Sequence, residues 1–138
     1  MSLSNYTAQA VLNSLFGKTS NFGELASRPT IYVALSTADP LEDGSGVAEP
    51  AGNGYARAAT TPADWNDATL ADPSVINNAN AIAFPQATGA WGTITHFALY
   101  DAAVDGNYLG GGPLSTSKAP TTGDTPSFAA GELNVTLD

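Results

Sequence analysis

The residues with the greatest potential for chemistry lie at positions 91 to 114, in the sequence WGTITHFALYDAAVDGNYLGGGPL. This segment holds the only histidine of the chain, His96, and two carboxylates, Asp101 and Asp105, follow it closely. A metal site would need further ligands, but the chain has no second histidine and no cysteine. The alternating pattern around His96 places it on a strand among apolar neighbours. We therefore expect His96 to be a structural or interface residue.

The residues after His96 show a partial likeness to a calcium-binding loop that begins at Asp101. The third position of such a loop would be Ala103, and the final position, which should be a bidentate glutamate, is Gly112. The pair Asp105-Gly106 instead separates two strand-like runs, and both residue types tolerate the positive φ angles of a tight hairpin turn. The sequence therefore predicts a hairpin at this point and no metal site.

Patterns for nucleophilic catalysis and phosphate binding are also missing. The sequence contains no Gly-x-Ser-x-Gly elbow, and the glycine run at 110–112 has neither a phosphate-binding lysine nor a following helix. Most carboxylates lie in predicted loops, where such groups are usually only solvated. We therefore predict no catalytic residues, no cofactor and no metal, and a protein that is not an enzyme.

The charge balance restricts the possible partners. Four basic residues against thirteen acidic ones give a net charge of −9, and this field repels nucleic-acid phosphates and anionic lipids. We expect neither nucleic acid nor a membrane as a partner. Only 12% of the residues are charged, which fits either a loop-rich sheet protein or a surface partly covered by other subunits. Residues 1–15 resemble neither a signal peptide nor a membrane span.

One short amphipathic helix is predicted at residues 5–16. Ser4 can cap its first turn, Gly17 can provide the left-handed residue at its end, and the apolar residues follow helical spacing at Ala8, Val11, Leu12 and Leu15. A helix of this length is marginal alone, so its apolar stripe must dock on a sheet or on a neighbouring subunit. Docking on the sheet of its own chain is the expected arrangement.

After the helix, the pattern changes to that of short strands separated by turn signals. Strands are predicted at residues 30–36, 55–61, 81–85, 93–102, 107–115, 126–131 and 132–138. Two long loops are predicted between them, an acidic one at 40–54 and a polar one at 61–80 with Trp65 as its single large anchor. The fold prediction is a single, mainly β domain over residues 1–138, with an antiparallel β-sandwich or barrel over 30–138.

Several residues have specific structural predictions. Gly54 offers backbone freedom ahead of Tyr55, and Arg57 lies on the same strand face as Tyr55. Arg57 should pair with a carboxylate, either internally or across an interface. Trp91 is predicted to be a core residue and not a ligand platform. The glycines at 110–112 should weaken strand pairing and mark a bulge or a close backbone approach.

Five segments, taken together, resemble a family of small virion structural proteins from tailed bacteriophages. They are YVALSTADP (32–40), GYARAATT (54–61), WGTITHFALYDA (91–102), GNYLGGGPLSTSK (106–118) and GDTPSFAAGELNVTLD (123–138). Members of that family are labelled variously as tail fibre, minor tail or capsid decoration proteins. The resemblance implies a β-rich, non-enzymatic component of the virion that is assembled in the host cytoplasm.

Within this family, a compact chain without a long shaft favours a capsid decoration, or cement, protein that stabilises the head shell by mass action. Its expected partners are the major capsid protein or other virion subunits, and it is expected to form a homo-oligomer such as a trimer. The first alternative is a tail fibre, minor tail or baseplate protein involved in host attachment. The second is a carbohydrate-binding β-sandwich in which Trp65 or Trp91 stacks on a sugar.

The surface between subunits is predicted to come from the acidic loop, the strand after it and the helix. We expect the loop and the helix to contribute because both have few predicted internal anchors and because the surface carries little charge. The candidate interface residues are Tyr55, Arg57, Glu42, Asp43, Glu49, Val11 and Leu15.

Overall fold

The computed structural model describes residues 3–23 and 28–137 of the 138-residue chain. Within these ranges it contains helix α1 (Asn5–Leu15), a 3-10 turn (Pro62–Asp64) and eight strands: β1 (Tyr32–Ser36), β2 (Ala58–Ala59), β3 (Ser74–Asn77), β4 (Ile82–Ala83), β5 (Ile94–Tyr100), β6 (Tyr108–Lys118), β7 (Ser127–Phe128) and β8 (Asn134–Leu137). All strand pairs are antiparallel. The predicted class, mainly β with antiparallel sheets and one short amino-terminal helix, is therefore confirmed.

The chain divides into two compact units. The first comprises Met1–Pro29, Thr61–Ala81 and Ala129–Asp138, and the second comprises Thr30–Thr60 and Ile82–Phe128. The prediction of one domain over residues 1–138 stays a prediction. In the parts of the chain that the structure covers, no helix has the length and apolar character needed to cross a membrane.

Helix α1 of the first unit has the predicted ends. The side chain of Ser4 accepts a hydrogen bond from the backbone N–H of Thr7 at 3.2 Å, which satisfies one of the free donors of the first turn. Gly17 follows the last turn with a φ of 75°, the left-handed conformation that favours glycine. The helix packs on the β3–β8 strand pair, so the expected docking on a sheet of the same chain is confirmed.

Strand β3 corrects the prediction of a continuous loop at 61–80. It pairs with β8 along its length, and its Ile76 is fully buried. The segment Ser74–Asn77 is too short, and too closely surrounded by Asn, Asp and Pro residues, for its alternation to stand out. Trp65 is 1% exposed and packs edge-on against Phe16 at 4.6 Å, so its prediction as an anchor is confirmed.

The second unit is built on a four-stranded sheet with the order β2-β1-β5-β6. Its core contains Val33, Leu35, Phe97 and Leu99 from the two central strands, together with Trp91, Phe84 and Phe128. Burial of each such side chain contributes roughly 1.5–3 kcal/mol relative to exposure. The core prediction for Trp91 is confirmed, because it is 4% exposed and its Nε1 donates to the carbonyl of Asn53 at 2.8 Å.

Most strands are shorter than predicted, and β2 and β7 differ most from their predicted ranges. Strand β2 covers only Ala58–Ala59 of the predicted 55–61, because the backbone still turns at Gly54, whose φ of 80° confirms its expected freedom. Strand β7 covers only Ser127–Phe128 of the predicted 126–131, because the chain turns at Gly131, where φ is 79°. The predicted strand at 132–138 is β8, and Asp138 lies outside the described residues.

The β5–β6 hairpin shows the predicted turn chemistry in a longer loop. Asp105 and Gly106 both have positive φ, at 55° and 78°, as predicted. The loop is longer than the predicted strand bounds left at 103–106, because it extends from 101 to 107. The carboxylate of Asp101 accepts hydrogen bonds from the backbone N–H and the side-chain amide of Asn107, at 2.6 and 2.8 Å. This clamp closes the wider loop.

Strand β6 is longer and more irregular than predicted. It runs from Tyr108 to Lys118, and its register against β5 shifts twice, between Ile94 and His96 and between Leu99 and Tyr100. The glycine prediction is confirmed at Gly111, where a Cβ atom would collide with the carbonyl oxygen of Phe97. The glycine run therefore allows the backbones of β5 and β6 to approach closely.

Candidate functional site

Three of the predicted interface residues meet in the second unit around the side chain of Arg57. Its Nε and Nη2 donate to the two carboxylate oxygens of Glu49, at 3.0 and 2.9 Å. Its Nη1 donates to the carbonyls of Ala102 and Asp105, each at 2.8 Å. The side chain of Arg57 is only 7% exposed. The carboxylate partner, which the sequence left open, is thus internal.

Tyr55 and Tyr100 complete this cluster. The hydroxyl of Tyr55 donates to Glu49 at 2.6 Å and accepts from the backbone N–H of Leu35 at 3.1 Å. The guanidinium of Arg57 lies 3.7 Å from the ring centre of Tyr100, a cation–π arrangement. We call Glu49, Tyr55, Arg57 and Tyr100 the latch, because they connect the acidic loop to the hairpin loop at 101–107.

The electrostatics of the latch follow from its burial and hydrogen bonds. Burial alone would raise the pKa of Glu49, but hydrogen bonds from Arg57 and Tyr55 hold that pKa below its usual value. Burial raises the pKa of the Tyr55 hydroxyl far above its usual range, and the hydrogen bond to Glu49 adds to the effect. The hydrogen bond to Glu49 also raises the pKa of Arg57. The latch therefore holds one negative group, one positive group and two neutral tyrosines around neutral pH.

A second contact fixes the acidic loop nearer to its beginning. The ring of Tyr108 packs edge-on against Tyr100 with centroids 5.8 Å apart. Gly44 packs directly against the side chain of Tyr108, since a Cβ atom at Gly44 would come within 2.6 Å of Cγ of Tyr108. The expectation that the loop at 40–54 has few internal anchors is therefore wrong. Gly44 and Glu49 of this loop form long-range contacts that the sequence pattern does not show.

Between the acidic loop and strand β6 lies a groove of about 990 Å³. We call it the acidic groove. Residues 39–43 and 45 line it from the loop, and residues 108–113 line it from β6, with His96 of β5 beside them. Three of the lining residues, Asp39, Glu42 and Asp43, are carboxylates, and no lysine or arginine is among the lining residues.

The carboxylates of the acidic groove are partly organised by turns. Asp39 accepts a hydrogen bond from the backbone N–H of Leu41 at 2.9 Å, and Asp43 accepts one from that of Ser45 at 3.0 Å. Hydrogen bonds from the side chain and backbone of Ser45 lower the pKa of Asp43. Burial raises the pKa of Tyr108, and the negative charges around it, these carboxylates included, raise it further. The groove therefore presents a concentrated negative charge.

His96 lies on strand β5 at the border of the acidic groove. Its Nδ1 is 2.8 Å from Oγ1 of Thr95, and its side chain is half-buried. Within residues 3–23 and 28–137, no group of three His, Cys, Asp or Glu side chains is placed to hold a metal ion. These contacts suit the predicted structural or interface role of His96.

The remaining predicted residues are divided between the two units. Val11 and Leu15 lie on helix α1 of the first unit, where Val11 is 38% exposed and Leu15 is half-buried. Glu42 and Asp43 line the acidic groove, whereas Glu49, Tyr55 and Arg57 form the latch.

The sequence prediction missed Tyr100, Tyr108 and Gly44. A usable signal was present, because Tyr100 and Tyr108 flank the predicted Asp105-Gly106 turn and cross-strand aromatic pairs are common at such positions. The alternative of sugar stacking on Trp65 or Trp91 is wrong in this structure. Both rings are buried, at 1% and 4% exposure, and neither presents a face to a ligand.

The comparisons with known proteins agree with a structural role. None of the curated proteins matches this chain. A family model described as "Podophage GP4 fiber I protein gp80" matches residues 2–136, which is nearly the whole sequence. This match confirms the resemblance to virion structural proteins of tailed phages. The chain therefore belongs to this family of podophage fibre proteins and is a phage virion structural protein.

Proposed function

We propose that this chain is a subunit of a phage tail fibre and that it acts by binding other virion proteins without catalysing a reaction. The observation that carries the proposal is the match of residues 2–136 to a family described as a podophage fibre protein. The sequence alone predicts a capsid decoration protein instead, because its patterns indicate no long shaft. No contact or comparison supports that role, and the family favours the fibre.

The geometry of the second unit supports a binding function. The latch and the Gly44–Tyr108 contact hold the acidic loop in place at two points. A surface that is already ordered loses less conformational entropy when a partner binds. The acidic loop can therefore serve as a preorganised contact in a fibre, as proposed for Glu42, Asp43 and their neighbours from the sequence.

The latch itself supports a structural role over a catalytic one. Arg57 directs its hydrogen bonds to Glu49 and to the carbonyls of the hairpin loop. Tyr55 and Glu49 bind each other and the sheet. Groups used in this way hold loops together and leave little capacity to bind and activate a substrate.

The location of the protein on the particle tests the proposal. Quantitative mass spectrometry of purified virions would give its copy number relative to the major capsid protein, and gold-labelled antibodies would show its position. We expect a few copies per particle, in a number set by the symmetry of the tail, and label at the tail. A ratio of about one, or about one third, to the major capsid protein with label over the head would overturn the fibre assignment.

A further inference from the structure

We infer that the acidic groove binds an extended segment of another virion protein that is rich in lysine or arginine. The inference deepens the proposed function and rests on it, since it names the kind of partner that a fibre subunit would contact. It is carried by three properties of the groove: its open sheet edge, its charge and its dimensions.

The first property is the edge strand that forms one wall. Strand β6 is last in the order β2-β1-β5-β6, and among the described residues only β5 pairs with it. Strand edges are commonly protected by proline, lysine or bulges. In β6, Pro113, the irregular pairing beyond it and Lys118 protect the far half. The half at 108–112 contains the other register shift, between Tyr108 and Gly110, but Gly110, Gly111 and Gly112 pair with β5 in regular register and carry no side chain that would block an added strand.

The second property is the charge. Asp39, Glu42 and Asp43 line the groove together with residues 108–113 of β6, and the lining includes no basic side chain. An extended chain lying along β6 would place alternate side chains toward these carboxylates. Lysine or arginine at those positions would form charge-assisted hydrogen bonds with them. The groove thus favours a cationic segment by electrostatic complementarity.

The third property is the size. The volume of about 990 Å³ is near the upper end of ordinary ligand pockets, which span roughly 300–1,000 Å³. The six residues of β6 that line it extend over about 20 Å at ~3.3 Å per residue. A peptide of about five or six residues in the extended conformation matches that length.

Charge argues against the two other occupants. A second copy of this chain, with a net charge of −9, would bring the same three carboxylates against themselves if the β6 edges paired, and like charges in direct opposition are destabilising. Anionic glycans would be repelled by the same groups, and a neutral glycan would make no use of their charge. A basic protein segment uses both the strand edge and the carboxylates.

The test uses the full-length protein and a fluorescein-labelled peptide of alternating lysine and valine, with an otherwise identical glutamate–valine peptide as the control ligand. Fluorescence anisotropy should detect binding of the lysine–valine peptide to the protein and no binding of the glutamate–valine peptide. The affinity should fall as salt rises from ~0.05 M to ~0.5 M, because screening shortens the range of the attraction.

The double variant Glu42→Gln, Asp43→Asn removes two groove charges while keeping side-chain shape. It should weaken binding of the lysine peptide about tenfold. The matched control, Asp67→Asn with Asp72→Asn, changes the net charge equally, but at two residues of the first unit. It should bind like the wild type. Circular dichroism would verify that both variants remain folded.

Equal loss of affinity in the two double variants would overturn the inference, because the attraction would then be a property of net charge. Hydrogen exchange with the peptide bound gives an independent readout. Protection of backbone amides in 108–112 supports strand addition, and the absence of such protection overturns it. Dimerisation of the chain through β6, or binding of a neutral glycan with no response to Glu42→Gln, Asp43→Asn, would also overturn it.

The peptide-binding test of the groove and the location test of the fibre assignment can fail independently of each other. If the protein is found on the head but the lysine peptide binds as expected, the fibre assignment fails and the groove keeps its ligand class. If the protein is found on the tail and the peptide does not bind, only the inference about the groove fails.

Discussion

At the scale of single residues, the arginine of the latch shows why residue type matters more than charge. Arg57 contacts Glu49 through two nitrogens, donates to two backbone carbonyls through the third and lies 3.7 Å from the ring centre of Tyr100. A planar guanidinium can do all of this at once, whereas the ammonium of lysine is a compact point charge. The latch thus depends on arginine and cannot be maintained by any cation of similar length.

This dependence predicts the effect of Arg57→Lys. We expect the free energy of unfolding to fall by about 2 kcal/mol, because a single ammonium cannot replace the hydrogen bonds that Arg57 gives to the half-buried Glu49 carboxylate and to two backbone carbonyls. Urea unfolding followed by circular dichroism would measure it. The control is Lys18→Gln, at a cation whose partner Asp67 lies 3.9 Å away and is 75% exposed. Lys18→Gln should change the free energy of unfolding by no more than ~0.5 kcal/mol. Equal effects of the two variants would contradict the prediction.

The lowered pKa of Glu49 in the latch predicts that the stability of the protein depends on pH. The pKa of Glu49 is lowered in the folded state. Its contribution to stability is therefore fully present above the pKa of an unfolded glutamate, about 4.3. It is lost as the pH falls through the lower folded value. Glu49→Gln should thus lower the melting temperature clearly near neutral pH and much less in strong acid. Calorimetry of both proteins across this range would measure the difference, which should not be constant with pH.

At the scale of elements, the β5–β6 hairpin depends on one glycine more than on its neighbour. At Gly111 a Cβ atom would collide with the carbonyl oxygen of Phe97, whereas at Gly112 it would lie 3.4 Å from the nearest ring carbon of Phe97. We expect Gly111→Ala to destabilise the protein by about 2 kcal/mol through a forced backbone shift. Gly112→Ala should be close to neutral or slightly stabilising, because it lowers the entropy of the unfolded chain.

Comparison of the two variants by thermal unfolding would measure this difference. Gly112→Ala is the matched control, since it makes the same chemical change one residue along the same strand. A larger loss for Gly112→Ala than for Gly111→Ala would show that the close approach of β5 and β6 does not limit stability.

The elements that could be predicted from the sequence are those with a local cause. Helix α1 followed from its cap, its apolar spacing and Gly17, and β1 and β5 followed from alternation. Strand β3 could not be predicted, because four residues acquire their strand conformation from pairing with β8, about sixty positions away. The latch was predicted only as a pairing of Arg57 with some carboxylate. Its actual partner depends on how two loops fold back on the sheet.

At the scale of the whole molecule, low surface charge and exposed apolar residues bear on assembly. The first unit exposes Leu3, Tyr6, Val11 and Phe22 by 38% to 55% of their surface, and the rings of Tyr6 and Phe22 contact each other at 5.7 Å. These residues belong to helix α1 or to the segments beside it. The sequence predicted that Val11 and Leu15 of this helix contribute to a surface between subunits.

We therefore expect the purified chain to form a homo-oligomer that Val11→Lys dissociates, because a buried, unpaired lysine in an apolar interface is costly. Light scattering coupled to size exclusion would report the molar mass of each protein. The matched control is Val104→Lys, the same change at a valine of the hairpin loop that is 75% exposed, which should leave the mass unchanged. A monomeric wild type, or dissociation by Val104→Lys alone, would move the subunit contact away from helix α1.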